Sequence, residues 1–237
     1  MLVTNDVLRE LEARVIEGDR DQAVAQVEQA LRGNIAASEV LQEGLVSAMA
    51  EVGSRFEKAE FYVPEMLLAA RAMQACMALL KPHLVETGVQ AAGTAVIGTV
   101  KGDLHDIGKN LVGMMLEGAG FEVIDIGNDV APESFAAAAR EHNAGIVGMS
   151  ALLTTTMPNM QAAIEAIGDI GLREKVKIMV GGAPLTDDFA REIGADGYAP
   201  DASRAVTLAK SWVSRTPLLP GELGECISTE RHQPPPR

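Results

Sequence analysis

From residue 94 onward the chain alternates five short apolar runs with five amphipathic segments, and this rhythm constrains the fold more than any other feature of the 237 residues. The runs span 95–100, 122–126, 145–149 and 177–180, with a weaker one at 197–199. Helical periodicity follows each, over 107–117, 132–142, 157–167, 187–193 and 202–213. Repeated strand-then-helix units predict a parallel sheet with helices on both faces. Ligands of such sheets bind beyond the carboxyl ends of the strands, near the switch in strand order. The loops that follow the strands are therefore where chemistry is to be sought.

Before residue 90 every pattern is helical. Asp19 follows Gly18 and precedes Gln22, which reads as a helix stop followed by a capping box. Ser38 is the expected N-cap of a helix through Val40, Leu41, Leu45, Met49 and Val52. Pro64 suits the first turn of the next helix, whose apolar face carries Met66, Ala69, Ala70, Met73, Met77 and Leu80 and which Pro82 is expected to limit. Four helices joined by short loops predict a small bundle. The chain thus divides into a helical region over 1–90, an α/β domain over 91–214, and a tail over 215–237 that holds five prolines and reads as flexible.

Composition narrows the function. Hydrophobic residues make up 47% of the chain and aromatics only 3%, so the core is aliphatic. Apolar runs stop short of the roughly 18 to 20 residues of a membrane span, so no transmembrane helix is expected. The first fifteen residues carry acids and no apolar block, which argues against a secretory signal. Twenty basic against 33 acidic residues give a net charge of −13, which disfavours a nucleic-acid partner. Cys76 and Cys226 lie far apart in different contexts, and packing or a free thiol suits them better than a disulfide. That fits a reducing cytoplasm.

The loop after the first strand is the most informative segment. In Lys101-Gly102-Asp103-Leu104-His105-Asp106-Ile107-Gly108, Asp103 and His105 stand two apart at a strand-to-helix junction. A histidine there can bind a metal through one ring nitrogen while a carboxylate fixes the other. An ordinary loop histidine with capping acids is the alternative reading. His83, His142 and His232 show no ligand spacing. A metal at His105 would therefore need a cofactor to supply most of its coordination.

Asp103-x-His105-x-x-Gly108 resembles the cobalamin-binding motif of corrinoid proteins that bind their cofactor with the lower base displaced. Ser150-Ala151-Leu152 follows with 41 residues between Gly108 and Ser150, and Gly181-Gly182 follows with 28 between Leu152 and Gly181. These match the family's Ser-x-Leu and Gly-Gly motifs in order and spacing. Phe56-Glu57-Lys58-Ala59-Glu60-Phe61-Tyr62-Val63-Pro64-Glu65 is similar to the segment of the helical cap that covers the corrin in methionine synthase and in methyltransferase corrinoid proteins. The likeness covers about residues 4 to 214.

The resemblance implies a four-helix cap followed by a Rossmann-like, flavodoxin-like five-stranded cobalamin-binding domain. It implies His105 as the lower ligand of cobalt, with Asp103 holding the imidazole and Ser150 extending the relay. Ser150 and Leu152 would line a slot for the displaced nucleotide tail, with Thr154 beside them and Gly181 and Gly182 leaving room. Gly102, Asp106, Ile107 and Gly108 would meet the cofactor along the motif loop. Tyr198 and Ala202 would approach the nucleotide base. Phe56 and Val63 would touch the upper face of the corrin, although the family often has leucine where this chain has Val63.

A protein of this kind shuttles a methyl group by alternating Co(I) and methyl-Co(III). Proton uptake along His105, Asp103 and Ser150 would assist release of the imidazole. The implied partners are a substrate-specific corrinoid methyltransferase, an acceptor methyltransferase and a reductive activase. The chain itself would be a carrier subunit. A cobalamin-dependent sensor and the small subunit of an adenosylcobalamin mutase are the alternatives, the first disfavoured by the acidic charge.

Overall fold

The computed structural model describes residues 2–88 and 90–213. The expected tail, with Cys226, lies outside the described residues.

All five apolar runs form strands of one parallel sheet. They are β1 (Thr94–Thr99), β2 (Glu122–Asp125), β3 (Ile146–Ser150), β4 (Lys177–Gly181) and β5 (Gly197–Tyr198), in the spatial order β2-β1-β3-β4-β5. The order reverses between β1 and β3, where Thr99 pairs with Ser150 and Ser150 with Gly181. Strand burial explains why the runs read as continuous: β1, β3 and β4 are covered on both faces, whereas edge strand β2 is partly exposed.

The connecting helices are α6 (Ile107–Gly118), α7 (Pro132–Glu141), α8 (Pro158–Asp169), α9 (Asp187–Glu192) and α10 (Ala202–Val213). One face of the sheet packs Val96, Val147 and Ile178 against Phe135 of α7 and Met160 and Ile167 of α8. The other packs Ala95, Ile97 and Ile146 against Leu116 of α6 and Ala209 of α10.

The helical region forms four rods, as expected. They are α1 (Leu2–Ile16), α2 (Arg20–Arg32), a continuous rod of α3 (Ala37–Glu39), a π-helical segment Val40–Val46 and α4 (Ser47–Glu57), and α5 (Val63–Glu86). Asp19 caps α2, accepting from the Gln22 N–H at 3.2 Å, after Gly18 turns the chain at φ +72°. Two expectations are corrected. Ala36, without a side-chain cap, precedes α3, and Ser38 lies inside it. Pro82 lies within α5 and does not limit it: proline removes one N–H donor, and the last turn closes through the Thr87 hydroxyl, 2.8 Å from the His83 carbonyl.

By length and hydropathy, α5 also meets the criterion for a membrane span. Here its Met66, Ala69, Ala70, Met73, Cys76 and Leu80 are buried in the bundle core.

That core extends into the α/β region through Leu111 and Met115 of α6 and Ala202 of α10. Gly118 admits Met49, whose Cγ would stand 2.8 Å from a Cβ at that position. The Ser203 hydroxyl donates to Glu57 at 3.0 Å and the Gln74 amide to Glu117 at 2.9 Å. The helical region is thereby seated over α6 and α10, above the carboxyl ends of the strands.

Candidate cofactor site

The loop between β1 and α6 is tied at several points. Buried Thr99 donates to the His105 carbonyl at 3.1 Å. The Gly102 N–H donates to the Asp129 carboxylate at 2.7 Å, in a turn that Gly102 makes at φ +80°. Asn159 Nδ2 donates to the Lys101 carbonyl at 2.9 Å. In the first turn of α6, Lys109 is buried and pairs with Asp125 at the end of β2. Asp106 precedes the helix without a side-chain cap.

Asp103 is fully buried and collects five donors. Its Oδ1 accepts from the His105 ring Nδ1 at 2.7 Å and from the His105 N–H at 3.1 Å. Its Oδ2 accepts from the N–H groups of Leu152 and Leu153 at 2.8 and 3.1 Å and from the Thr156 hydroxyl at 2.8 Å. Burial alone would push this carboxyl up. Hydrogen bonds from Leu152, from the ring and N–H of His105, and from Thr156 outweigh it and hold Asp103 well below the usual carboxylate range. His105 itself is half exposed, and with Nδ1 engaged by Asp103 its free ring nitrogen is Nε2.

His105 stands at the mouth of a cavity of about 610 Å³, within the range of pockets that enclose organic ligands. Phe56 and Val63 line it from the helical region. Ile97, Gly148 and Met179, which are in register across β1, β3 and β4, form its floor. Leu111 and Val112 of α6 and Ala202 and Ala205 of α10 form its sides. Around the mouth Leu104 and Ile107 are 69% and 77% exposed, beside half-exposed Leu152 and Val63. The space is therefore an apolar slot opening onto an apolar rim, with an imidazole between them.

Asp106, Ile107, Gly108, Ser150, Leu152, Gly181, Gly182, Ala202, Phe56 and Val63 all line this cavity with His105, and Asp103 lies buried behind it. Gly102, Thr154 and Tyr198 do not line it: Gly102 turns the loop, Thr154 is exposed, and Tyr198 packs against the core of the opposite sheet face. The two consecutive glycines are demanded by the protein's own backbone. A Cβ on Gly181 would lie 2.8 Å from the Ala199 carbonyl oxygen, and one on Gly182 would lie 1.9 Å from that of Ala151.

The relay also differs from the expected one. Among the described residues no hydrogen bond joins the Ser150 hydroxyl to Asp103 or His105, and the hydroxyl on Asp103 is that of Thr156. Sequence patterns do not single out Thr156, Lys109 or the Leu152 and Leu153 N–H groups. The cavity walls Leu111, Val112 and Met179 show there only as ordinary apolar periodicity.

Among the described residues no three histidine, cysteine or acidic side chains gather as a metal site. A metal held here would need a cofactor to supply most of its coordination, with His105 able to contribute one ligand. The exposed apolar rim, the single prepared imidazole and the deep slot together fit a flat metal macrocycle with a long appendage, which defines a cobalamin-binding protein.

The comparisons agree. Residues 93–207 and residues 7–81 each match a B12 binding domain family. A dimethylamine corrinoid protein of Methanosarcina acetivorans is 46% identical over 86% of this chain and 96% of its own length. One from Methanosarcina barkeri is also 46% identical, over 86% of this chain and 96% of its own length. Among solved structures, a cobalamin-binding protein from Desulfitobacterium hafniense superimposes with a TM-score of 0.73 at 31% identity, over 86% of this chain and 98% of that one. A methanol:cobalamin methyltransferase complex from Methanosarcina barkeri gives a TM-score of 0.80 at 25% identity, over 89% of this chain and 81% of the matched one. The chain belongs to the family of B12-binding corrinoid proteins, and its cofactor is a corrinoid.

Proposed function

We propose that this chain is a methyl carrier, accepting a methyl group from one methyltransferase and yielding it to another, with His105 as the lower ligand of the corrinoid. The bound cofactor supplies a cobalt centre that alternates between Co(I) and methyl-Co(III). The observation that carries the reading is the 2.7 Å bond from His105 Nδ1 to the buried Asp103 carboxylate at the mouth of the apolar cavity.

Each residue then has a defined task. Asp103 fixes the proton of His105 on Nδ1, leaves Nε2 as the donor atom, and raises its basicity through its negative charge. Leu104, Ile107 and Leu152 present apolar surface to the ring. Ile97, Gly148, Met179 and Ala205 leave the slot that receives the nucleotide tail. Phe56 and Val63 close over the opposite face and exclude water. Such a lid must shift for a partner to reach the methyl group. We divide the chain into a cap over 1–90 and a cofactor domain over 91–214.

The named relatives supply the first donor to test, dimethylamine, with its donor-specific methyltransferase, an acceptor methyltransferase and a reductive activase as partners. We place the reaction in the cytoplasm, where reduced cobalt and the free Cys76 thiol are compatible.

The test is anaerobic reconstitution with cobalamin and reduction to Co(I), followed by a dimethylamine:corrinoid methyltransferase and dimethylamine. Conversion of the reduced spectrum to that of methylcobalamin is expected, together with loss of the histidine-bound spectrum in His105→Gly. A histidine-independent spectrum, or failure to accept methyl from methylated amines, methanol and methoxyaromatics alike, would sink the proposal.

A further inference from the structure

Glu57 and Ser203 are 146 positions apart, and each directly follows a residue that lines the cavity, Phe56 in α4 and Ala202 in α10. Ser203 lies outside every motif named above and is 7% exposed, whereas Glu57 is exposed. The Ser203 hydroxyl has one proton and two acceptors, the Glu57 carboxylate at 3.0 Å and the Gly53 carbonyl at 3.5 Å. The carboxylate is the nearer and the stronger acceptor.

The face of α4 that meets the α/β region carries Met49, Gly53 and Glu57, spaced four residues apart. Met49 fills the space above Gly118. A Cβ on Gly53 would stand 3.1 Å from Ser203 Oγ and 3.5 Å from Met115 Cε, so α4 passes close over α6 and α10. Met49 and Gly53 fit by shape. Glu57 adds a directional bond at the end of the helix nearest Phe56.

Beyond α4 the chain closes on itself. The Arg55 carbonyl accepts from the N–H groups of Glu60 and Phe61 at 2.9 and 3.2 Å, and the Arg55 guanidinium lies 5.3 Å from the centre of the Phe61 ring. The Tyr62 N–H donates to Glu65 at 3.0 Å. These bonds shape the segment without tying it to the α/β region, which the Glu57–Ser203 bond does. The Gln74–Glu117 bond also joins the two regions, but neither of its residues lines the cavity.

We infer that the Glu57–Ser203 bond is the latch that positions Phe56 over the cavity and holds the cap shut. Glu57 and Ser203 are positioning residues that act through Phe56. The inference rests on Phe56 being part of a lid, as proposed above.

The test uses the full chain in two states. The cofactor-free chain carries A202C in a C226S background, and the same chain without A202C gives the baseline. Ala202 is 4% exposed and packs in the core it shares with the cap, so a thiol there reacts with a disulfide reagent when the cap lifts. The chain loaded with methylcobalamin is followed by the decay of its spectrum under fixed illumination. S203A removes the donor and E57A the acceptor. Each is expected to speed labelling by about 10-fold, the lower end for loss of a hydrogen bond to a charged group, and to speed photolysis. S203A/E57A should gain no more than either single variant, because all three delete one bond. S211A removes an α10 hydroxyl bonded within its own helix and should match wild type.

Wild-type labelling in both S203A and E57A overturns the inference. Faster labelling with unchanged photolysis also overturns it, since the bond would then hold the cap without placing Phe56. Gains that multiply in the double variant would assign the effect to separate packing losses and overturn it as well. The F56A variant separates this inference from the reading beneath it. Wild-type photolysis there overturns the lid itself, whereas faster photolysis there beside silent S203A and E57A overturns only the latch.

Discussion

Gly182 and Ala151 are locked together. A Cβ on Gly182 would stand 1.9 Å from the Ala151 carbonyl oxygen, and Gly182 holds φ +138°. Their two loops follow neighbouring strands, β4 and β3, whose last residues Gly181 and Ser150 are paired. The glycine therefore shapes the cavity wall by letting two backbones meet.

Gly182→Ala is expected to damage folding as well as binding. Strained backbone and a backbone clash together should cost about 3 to 5 kcal/mol. Urea unfolding of the cofactor-free protein measures this. Wild-type stability with binding alone reduced would refute the assignment.

Gly108 should behave in the opposite way. It lines the cavity in the first turn of α6, and a Cβ there would meet nothing within 4 Å. Gly108→Ala should leave the cofactor-free protein equally stable, or more stable by up to about 1 kcal/mol from helix propensity. Any loss should appear only in corrinoid affinity, followed by retention of cobalamin on gel filtration. A drop in the cofactor-free melting temperature would count against this.

Asp103 makes acid stability predictable in sign. Its folded carboxyl lies below the ordinary value of 3.8. The stabilisation is therefore present in full above that value and is lost as pH falls through it toward the folded value. Asp103→Asn should cost about 2 to 4 kcal/mol near neutral pH, because buried donors lose a charged acceptor. The gap from wild type should narrow below pH 3.8. Parallel stability curves down to pH 2 would contradict the proposed charge state; roughly two pH units below the ordinary value suffice to see the trend.

What the sequence makes legible follows distance along the chain. Strands covered on both faces write themselves as apolar runs, so the sheet and its helices can be placed from periodicity alone. Asp103 and His105 are two apart, and local spacing reveals their pairing. Thr156 meets Asp103 across 53 positions through a turn with no periodicity, so spacing does not reveal it. Ser150 carries the expected motif spacing, but strand alternation turns it to the cavity. Gly181 and Gly182 read as clearance for a ligand because their true neighbours, Ala199 and Ala151, come together only in the fold. The π-helical segment over Val40–Val46 leaves the apolar pattern of an ordinary helix almost intact, and so it too is invisible in the pattern.

Phe56 tests the lid. It is partly buried and lines the cavity from the end of α4. Phe56→Ala should lower cofactor-free stability by only about 1 to 2 kcal/mol, less than a fully buried aromatic, because the site is already part-exposed. On the proposed reading the methylated holoprotein should become more sensitive to light and water. The decay of its methylcobalamin spectrum under fixed illumination measures this. A decay rate equal to wild type would mean that Phe56 belongs to the bundle core and not to a lid.

Cys76 sits at the centre of α5, fully buried, and burial pushes its thiol up to about 12. The thiolate is the reactive form, so at pH 8 only about one thiol in ten thousand is ionised even before access is considered. In a Cys226→Ser background, which leaves Cys76 as the only cysteine, native protein should resist a disulfide reagent at pH 8 and react fully in denaturant. Because α5 packs in the core shared with α6, labelling should track opening of that core, and bound corrinoid should slow it further by favouring the closed state. Rapid labelling of the folded protein would mean that α5 leaves its buried position far more readily than its packing allows.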